Sequence, residues 1–345
     1  MEYVREININ EAVIHILDSN SEEVIINEYP LELNDEIYAF LMKHVQKCLN
    51  DEELRYAVFN QGRGILKEIS QEYLNGENNL IEVSKELARQ MFQLIKANGN
   101  IPSCDLIVIS LSTEFGVMLG ILKMDYVKNY THNINFVENK IGINIIPQFT
   151  GLPNGGQKIQ KCAFIKPSRE ENDFDLMVID KQNKGKENDD YGTNYFISSF
   201  LGCSIINNER DMTKGLLKAA EKWTRDNYKE DADTAEVIRS AIKKRLKSEE
   251  NIEIQGFTED IFKDQVEAQK NFMEYISGQG VENNISVDKE WLDKRLKRVR
   301  LKIDKDIDLY INEETYDDIN RFEIVRNGDG TINMIIKHVS NYIEK

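Results

Sequence analysis

Two hydrophobic periods alternate along the chain, and the places where one gives way to the other mark the expected elements. Ile7, Ile9, Val13 and Ile16 are β-formers between Arg5 and Leu17, and Ser19-Asn20-Ser21 supplies a turn toward Val24 to Ile26. An opening hairpin is expected. From Asn34 the spacing turns helical: Ile37, Phe40, Leu41, Val45 and Leu49 share a face, as do Val83, Leu87, Met91 and Leu94 between Leu80 and Ile95. Asn98-Gly99-Asn100 and Pro102 end that second helix.

Leu106 to Leu111 and Val117 to Met124 are nearly unbroken apolar runs separated by Ser112-Thr113-Glu114. They predict adjacent antiparallel strands inside a sheet covered on both faces. Asn135 to Val137, Ile141 to Ile146, Cys162 to Ile165 and Leu176 to Ile179 are expected to continue the meander, with loops at Gly151 to Gly156 and at the polar stretch Lys181 to Asp190. The latter is the expected mobile loop or domain edge.

Asn207 and Asn208 can cap a helix from about Glu209, in which Leu216, Leu217, Ala220 and Trp223 make a buried stripe. Asp231 to Asp233 interrupt it and cap a second helix through Lys247, and a third is expected from Thr258 to Ile276. The tail returns to strands at Val299 to Ile303, Leu309 to Ile311, Phe322 to Val325 and Ile332 to Ile336. The last two flank Asn327-Gly328-Asp329-Gly330, a strong hairpin signal. The expected fold is α+β: a mixed, mainly antiparallel sheet with flanking helices over 1–190, a helical segment over 191–280 and a small β-rich C-terminal part over 281–345.

Composition narrows the chemistry. Cys48, Cys104, Cys162 and Cys203 have no paired spacing and no histidine at zinc-ligand distance, so buried apolar roles are expected, with no metal and no cofactor. His15, His44, His132 and His338 fall in different expected elements. The N-terminus is charged and no apolar run reaches a membrane span, which predicts a cytoplasmic protein without membrane contact. No phosphate-cradling loop, dinucleotide fingerprint or nucleophile elbow is present, and no enzyme activity is expected. The nearest to an enzyme is a metal-dependent nuclease using Asp173, Asp175, Asp180 and Lys181, but Asp175 and Asp180 would point to opposite faces of a strand.

A net charge of −16 repels nucleic acid over the molecule as a whole, so any DNA contact must be local. Three basic runs qualify. Lys158 and Lys161 lead toward Lys166 and Arg169. Arg239, Lys243, Lys244, Arg245 and Lys247 lie on an amphipathic helix with Val237, Ile238, Ala241, Ile242 and Leu246 inward. Lys289, Lys294, Arg295, Lys297, Arg298, Arg300, Lys302 and Lys305 form the densest run. In that run Arg298, Arg300 and Lys302 alternate with Val299, Leu301 and Ile303, which on a strand lines one face with cations. The competing readings are an ordinary solvated helix face and an edge strand protected by lysines.

Ile9 to Asp18, Phe200-Leu201-Gly202-Cys203 leading into Gly215-Leu216-Leu217-Lys218-Ala219-Ala220, and the hairpin Phe322 to Lys337 together resemble the bacterial nucleoid-associated proteins of the NdpA or YejK type. The resemblance spans nearly the whole chain. It implies a cytoplasmic, nucleoid-localised protein that binds double-stranded DNA, with a type II topoisomerase as partner, and supplies no catalytic motif. This chain departs from that pattern in its polar stretch at Lys181 to Asp190 and in its acidic balance.

The expected function is therefore non-enzymatic binding of double-stranded DNA through local basic patches, with an effect on DNA topology. The alternative is a protein-interaction module that docks on a type II topoisomerase, another basic protein, or a defence or repair complex. Its acidic surface would meet a basic groove. A symmetric homodimer is expected on general grounds.

Overall fold

The computed structural model describes residues 1–137, 140–152, 158–181, 195–263, 265–304 and 306–343. They form two compact units, one of 2–206 and one of 207–345 with Met1.

The first unit contains, in chain order, β1 (Ile7–Leu17), α1 (Asp35–Leu49), β2 (Arg55–Phe59), α2 (Ile65–Leu74), α3 (Leu80–Ala97), β3 (Cys104–Thr113), β4 (Gly116–Asp125), β5 (Val127–Val137), β6 (Lys140–Thr150), β7 (Lys161–Ile165), β8 (Leu176–Asp180), a π-helical segment Tyr195–Leu201 and β9 (Cys203–Ile206). Seven strands make one antiparallel sheet in the order β1-β3-β4-β7-β8-β2-β9. With the helices this is the expected α+β fold.

β3 is buried from Cys104 to Leu111 and β4 from Met118 to Met124, so both faces of the sheet need cover. On one face Leu106, Val108, Leu119 and Ile121 pack with Leu87 and Met91 of α3 and with Phe196 and Phe200 of the π-helical segment. On the other, Cys48 of α1 meets Cys162 of β7. Asn34 caps α1 by accepting the Ile37 N–H at 3.0 Å, and Asn79 caps α3 by accepting that of Glu82 at 3.0 Å. All four cysteines are buried, and burial pushes the Cys104 and Cys203 thiols up to about 12.

The expected opening hairpin does not form. β1 pairs along its length with β3, from Ile7 opposite Thr113 to Leu17 opposite Cys104, and Val24 to Ile26 contributes only the bridge of Ile25 to Ile16. A ten-residue apolar strand is the better partner than three residues following a turn. The meander is also interrupted. β5 and β6 pair only with each other, from Val127 opposite Thr150 to Val137 opposite Lys140, as a ribbon outside the sheet. Its base is clasped by Asp105, whose carboxylate accepts the Tyr126 hydroxyl at 3.3 Å and the Gly151 N–H. A Cβ on Gly151 would lie 2.6 Å from Asp105 Oδ2, so only glycine fits. The Gly151 to Gly156 loop beyond Leu152 and the stretch after Lys181 lie outside the described residues.

The second unit contains α4 (Glu209–Asn227), α5 (Ala232–Ser248), β10 (Asn251–Glu253), α6 (Ile254–Phe262), α7 (Val266–Gly278), β11 (Asn284–Ser286), α8 (Lys289–Leu296), β12 (Arg298–Ile303), β13 (Ile307–Asn312), α9 (Glu313–Tyr316), β14 (Phe322–Arg326) and β15 (Ile332–Ile336). Asn208 and Asp231 cap α4 and α5 through the Asp211 and Thr234 N–H groups at 2.8 and 2.9 Å. Trp223 is the hub, with Phe272, Phe262 and Tyr228 edge-on at 5.0, 5.1 and 5.8 Å. The single helix expected from Thr258 to Ile276 is two, broken at Lys263, whose φ is 44°. Phe262 and Phe272 would stand about 15 Å apart along a continuous helix. The break brings their centroids to 5.1 Å, so that both reach the tryptophan.

Buried His15 ties β1 to α3. Its Nε2–H donates to Ser84 Oγ at 2.9 Å, the Ser84 hydroxyl donates to the Ile81 carbonyl at 2.8 Å, and Nδ1 accepts the Asn27 N–H at 3.1 Å. Burial, then Lys85 and Arg89, lowers its pKa from 6.5 to about 4. The folded value lies below the unfolded one, so the neutral ring's contribution is complete above pH 6.5 and disappears as pH falls toward 4. Full protonation is worth about 3 kcal/mol. Denaturant titrations of wild type should show stability falling across that window, with a shallower fall in His15→Gln. Parallel pH profiles for the two proteins would remove His15 as the cause.

Candidate nucleic-acid interface

The basic runs meet different fates. In the first unit Lys158 is exposed, but Lys161 is buried in a row that crosses β4, β7 and β8 as Lys123, Lys161 and Asp180. Lys161 ion-pairs with Asp180, and its ammonium sits 4.8 Å from the Tyr195 ring centre. Lys123, fully buried, pairs with Asp125. Lys161 therefore cannot present its charge to a phosphate, and the expectation that it does is corrected. Nearby Lys166 lies 3.6 Å over the Phe174 ring and 3.5 Å from Glu2.

The nuclease carboxylates do not converge. Asp175 accepts the Phe59 N–H at 3.0 Å and the Ser168 hydroxyl at 2.9 Å, Asp180 faces Lys161, Lys181 pairs with Asp51, and Asp173 is exposed. Among the described residues no three His, Cys, Asp or Glu side chains are grouped to hold a metal ion.

In the second unit α5 buries Ala235, Ile238, Ile242 and Leu246, and leaves Val237 exposed instead of inward. Most of its cations are matched. Arg239 holds Glu221 through two bonds of 2.7 and 2.9 Å, Arg245 pairs with Glu249 at 2.7 Å and with Asp260, and Lys247 pairs with Glu313 and Asp317. Half-buried Lys243 lies 5.5 Å over the Tyr316 ring, and burial pulls its pKa down. Lys244 is exposed, with no carboxylate at ion-pair distance among the described residues.

The third run is a helix followed by a strand. Lys289 donates to the Leu246 and Lys247 carbonyls at 2.6 and 2.8 Å, placing a cation on the C-terminus of α5, and Lys294 pairs with Glu290 at 2.7 Å. Arg295 and Lys297 are exposed at the end of α8. β12 then alternates as the spacing requires, with Arg298, Arg300 and Lys302 exposed and Val299, Leu301 and Ile303 turned away. Lys305 lies outside the described residues.

β13 completes this face. Asn312 stands opposite Arg298, Tyr310 opposite Arg300 and Asp308 opposite Lys302. Tyr310 is 66% exposed, the Arg300 guanidinium lies 5.2 Å over its ring, and Arg300 reaches Asp308 at 3.3 Å. An exposed pair of this kind holds about 0–1 kcal/mol and yields to a competing phosphate. Tyr310 and Asn312 were not candidates on the sequence alone, because their place beside the arginines depends on the hairpin register.

A family model described as nucleoid-associated protein YejK matches residues 13–344, nearly the whole chain. The chain belongs to that family. No curated protein matches it. The segments that carry the YejK-type resemblance are largely structural. Phe200 and Leu201 are buried, Gly202 turns the chain with φ of 62°, and Cys203 opens β9. Leu216, Ala219 and Ala220 pack in the second core, and the terminal hairpin is β14 with β15.

The ion pairs sort by replaceability. Lys161→Met leaves Asp180 buried without its partner and should cost about 3–5 kcal/mol, read as a lower denaturation midpoint. Arg300→Gln removes an exposed pair and should cost less than about 1 kcal/mol. Equal costs would overturn this division between buried and surface cations.

Proposed function

We propose that this member of the YejK-type family is a nucleoid protein that binds double-stranded DNA without catalysis, through the cationic face of β12 and β13. The observation that carries the reading is the alternation of Arg298, Arg300 and Lys302 on one exposed face, with Tyr310 and Asn312 beside them. Two-stranded ribbons fit a DNA groove, where arginines contact phosphates and base edges and an amide reads adenine. Arg295, Lys297 and Lys244 have exposed charges that extend the phosphate contact. Salt screens the rest of the acidic molecule beyond a Debye length of about 8 Å, so a local patch can act under a net charge of −16. An influence on DNA topology belongs to the same reading.

The net charge itself favours a second reading, docking on a type II topoisomerase or another basic protein, in which the acidic surface meets a cationic groove. Asp304, Asp306 and Asp308 at the far end of the ribbon suit that contact.

Duplex binding measured across a salt series separates the two. For direct binding, the slope of log affinity against log salt should shrink by about 0.9 for each phosphate that the protein no longer neutralises, or roughly 3 for Arg298→Gln, Arg300→Gln and Lys302→Gln combined. Absence of duplex binding by wild type at low salt, or an unchanged slope in the triple variant, would reject the ribbon as the site.

A further inference from the structure

The β5–β6 ribbon has a face that water does not tolerate. The register places Tyr130, Ile134 and Phe136 of β5 on the same side as Ile141, Ile143 and Ile145 of β6, with Ile134 opposite Ile143 and Phe136 opposite Ile141. Phe136 is 76% exposed, Ile143 67% and Ile145 78%. The opposite side carries Asn129, Thr131, Asn133, Asn135, Asn144 and Gln148, with Ile146 the one large apolar residue exposed among them. A lone two-stranded hairpin is marginal in water, and the largest apolar patch on a typical monomer is about 300–600 Å². Here the apolar side chains present on the order of 1,000 Å².

We propose that this face is a homodimerisation surface, covered by the same face of the β5–β6 ribbon of a second copy of the chain. Three features select that occupant. The area matches the roughly 800 Å² per partner of a stable interface. Lys128 and His132, with the phenol of Tyr130, are the titratable residues on this side and no carboxylate accompanies them, so the face offers little charge pattern by which to select a different protein, whereas homodimer interfaces are the more apolar class. An antiparallel ribbon is also nearly two-fold symmetric about its own centre. A two-fold axis lying midway between the two faces, above Ile134 and Ile143 and parallel to the ribbon, would stack one ribbon on the other, with the isoleucines of each filling the gaps between those of its partner, about 10 Å apart as in a β-sandwich.

The ribbon is held for this role. Asp105 clasps Tyr126 on the way in and Gly151 on the way out, so the arm leaves the sheet from a fixed base. Lys128 lies 5.3 Å over the Tyr130 ring, at the clasped end of the apolar face, where its charge stays in water when the face is covered.

The experiment uses the full chain, measured by light scattering and sedimentation over a concentration series. Wild type should have twice the 40.1 kDa chain mass. The double variant Ile134→Asp with Ile143→Asp should run as a folded monomer, with unchanged circular dichroism. Wild type that stays monomeric at every concentration, or a double variant that stays dimeric, overturns the proposal. So does a monomeric wild type that binds neutral phosphatidylcholine vesicles, since lipid would then be what covers the face. Should the double variant misfold, Ile143→Cys provides a gentler probe. The four native cysteines are buried, and ribbons stacked about 10 Å apart hold the two new thiols beyond direct disulfide reach, so a short bis-maleimide should link two copies through the new thiol alone. A new thiol that stays accessible to an alkylating reagent and forms no dimer counts against the interface.

Discussion

The central strands β3 and β4 are apolar at consecutive positions, and this one constraint organises the first unit. A strand buried on a single face can leave alternate residues in water, but these cannot. Helices must lie on both sides, and the residues at the sheet's margins must adapt to the same burial. Lys123 and Lys161 fall on the face shared with Leu106 and Val108, so their ammonium groups are drawn into the interior and each needs a carboxylate. Asp125 and Asp180 supply them. Asp105, at the end of β3, is buried by the same packing, which pushes its carboxyl pKa up, and the Tyr126 hydroxyl and the Gly151 N–H donate to the carboxylate and oppose that rise. The clasp of the β5–β6 arm is thus a consequence of the core's depth.

Burial also decides which cations could meet a phosphate. A lysine paired in the interior is held by the desolvation its partner would suffer alone, several kcal/mol. A surface pair is held by about 1 kcal/mol or less, and phosphate competes with the carboxylate on nearly equal terms. Lys161 belongs to the first kind, and Arg300, with its guanidinium over Tyr310, to the second. Between them stand Arg245 and Lys247, whose acids, Asp260, Glu313 and Asp317, join α5 to α6 and α9. These two cations tie α5 to its neighbours within the second unit. A run of basic letters overstates the available charge wherever the fold brings acids to it.

This is where the sequence stops being legible. Long, regularly spaced elements could be read because their pattern repeats often enough to exceed noise: α3, the β3–β4 pair, α4 with its Asn208 cap, and the alternation of β12. β2 and α2 could not, since five residues beginning with Arg55 and a helix whose Gly64 cap makes no side-chain bond carry too little local signal. The break at Lys263 left no glycine or proline to announce it; the packing of Phe262 and Phe272 on Trp223 imposes it. Pairing was least legible of all. β1 chose β3, about a hundred residues away, over its neighbour, and Arg245 and Lys247 met acids 15 and 70 positions distant in Asp260 and Asp317.

Two hairpins of the same construction show how little is needed to change what a surface can do. β5–β6 and β12–β13 are both antiparallel ribbons with side chains alternating across the strands. In β12 the exposed set is Arg298, Arg300 and Lys302, and water can solvate it until a polyanion arrives. In β5–β6 the exposed set holds Ile134, Phe136, Ile141 and Ile143, which water drives toward another apolar face whatever its identity. The first attraction is long-ranged and weakens with salt; the second acts only on contact and persists in salt. A shift of one residue in β12 would exchange its faces and turn the aliphatic residues outward, whereas the amide face of β5–β6 is already in water and only its apolar face lacks cover. The tie of Lys247 to Glu313 at the base of β12–β13 therefore helps to fix which of its faces looks out, while the clasp at Asp105 fixes the point from which the β5–β6 arm leaves the sheet.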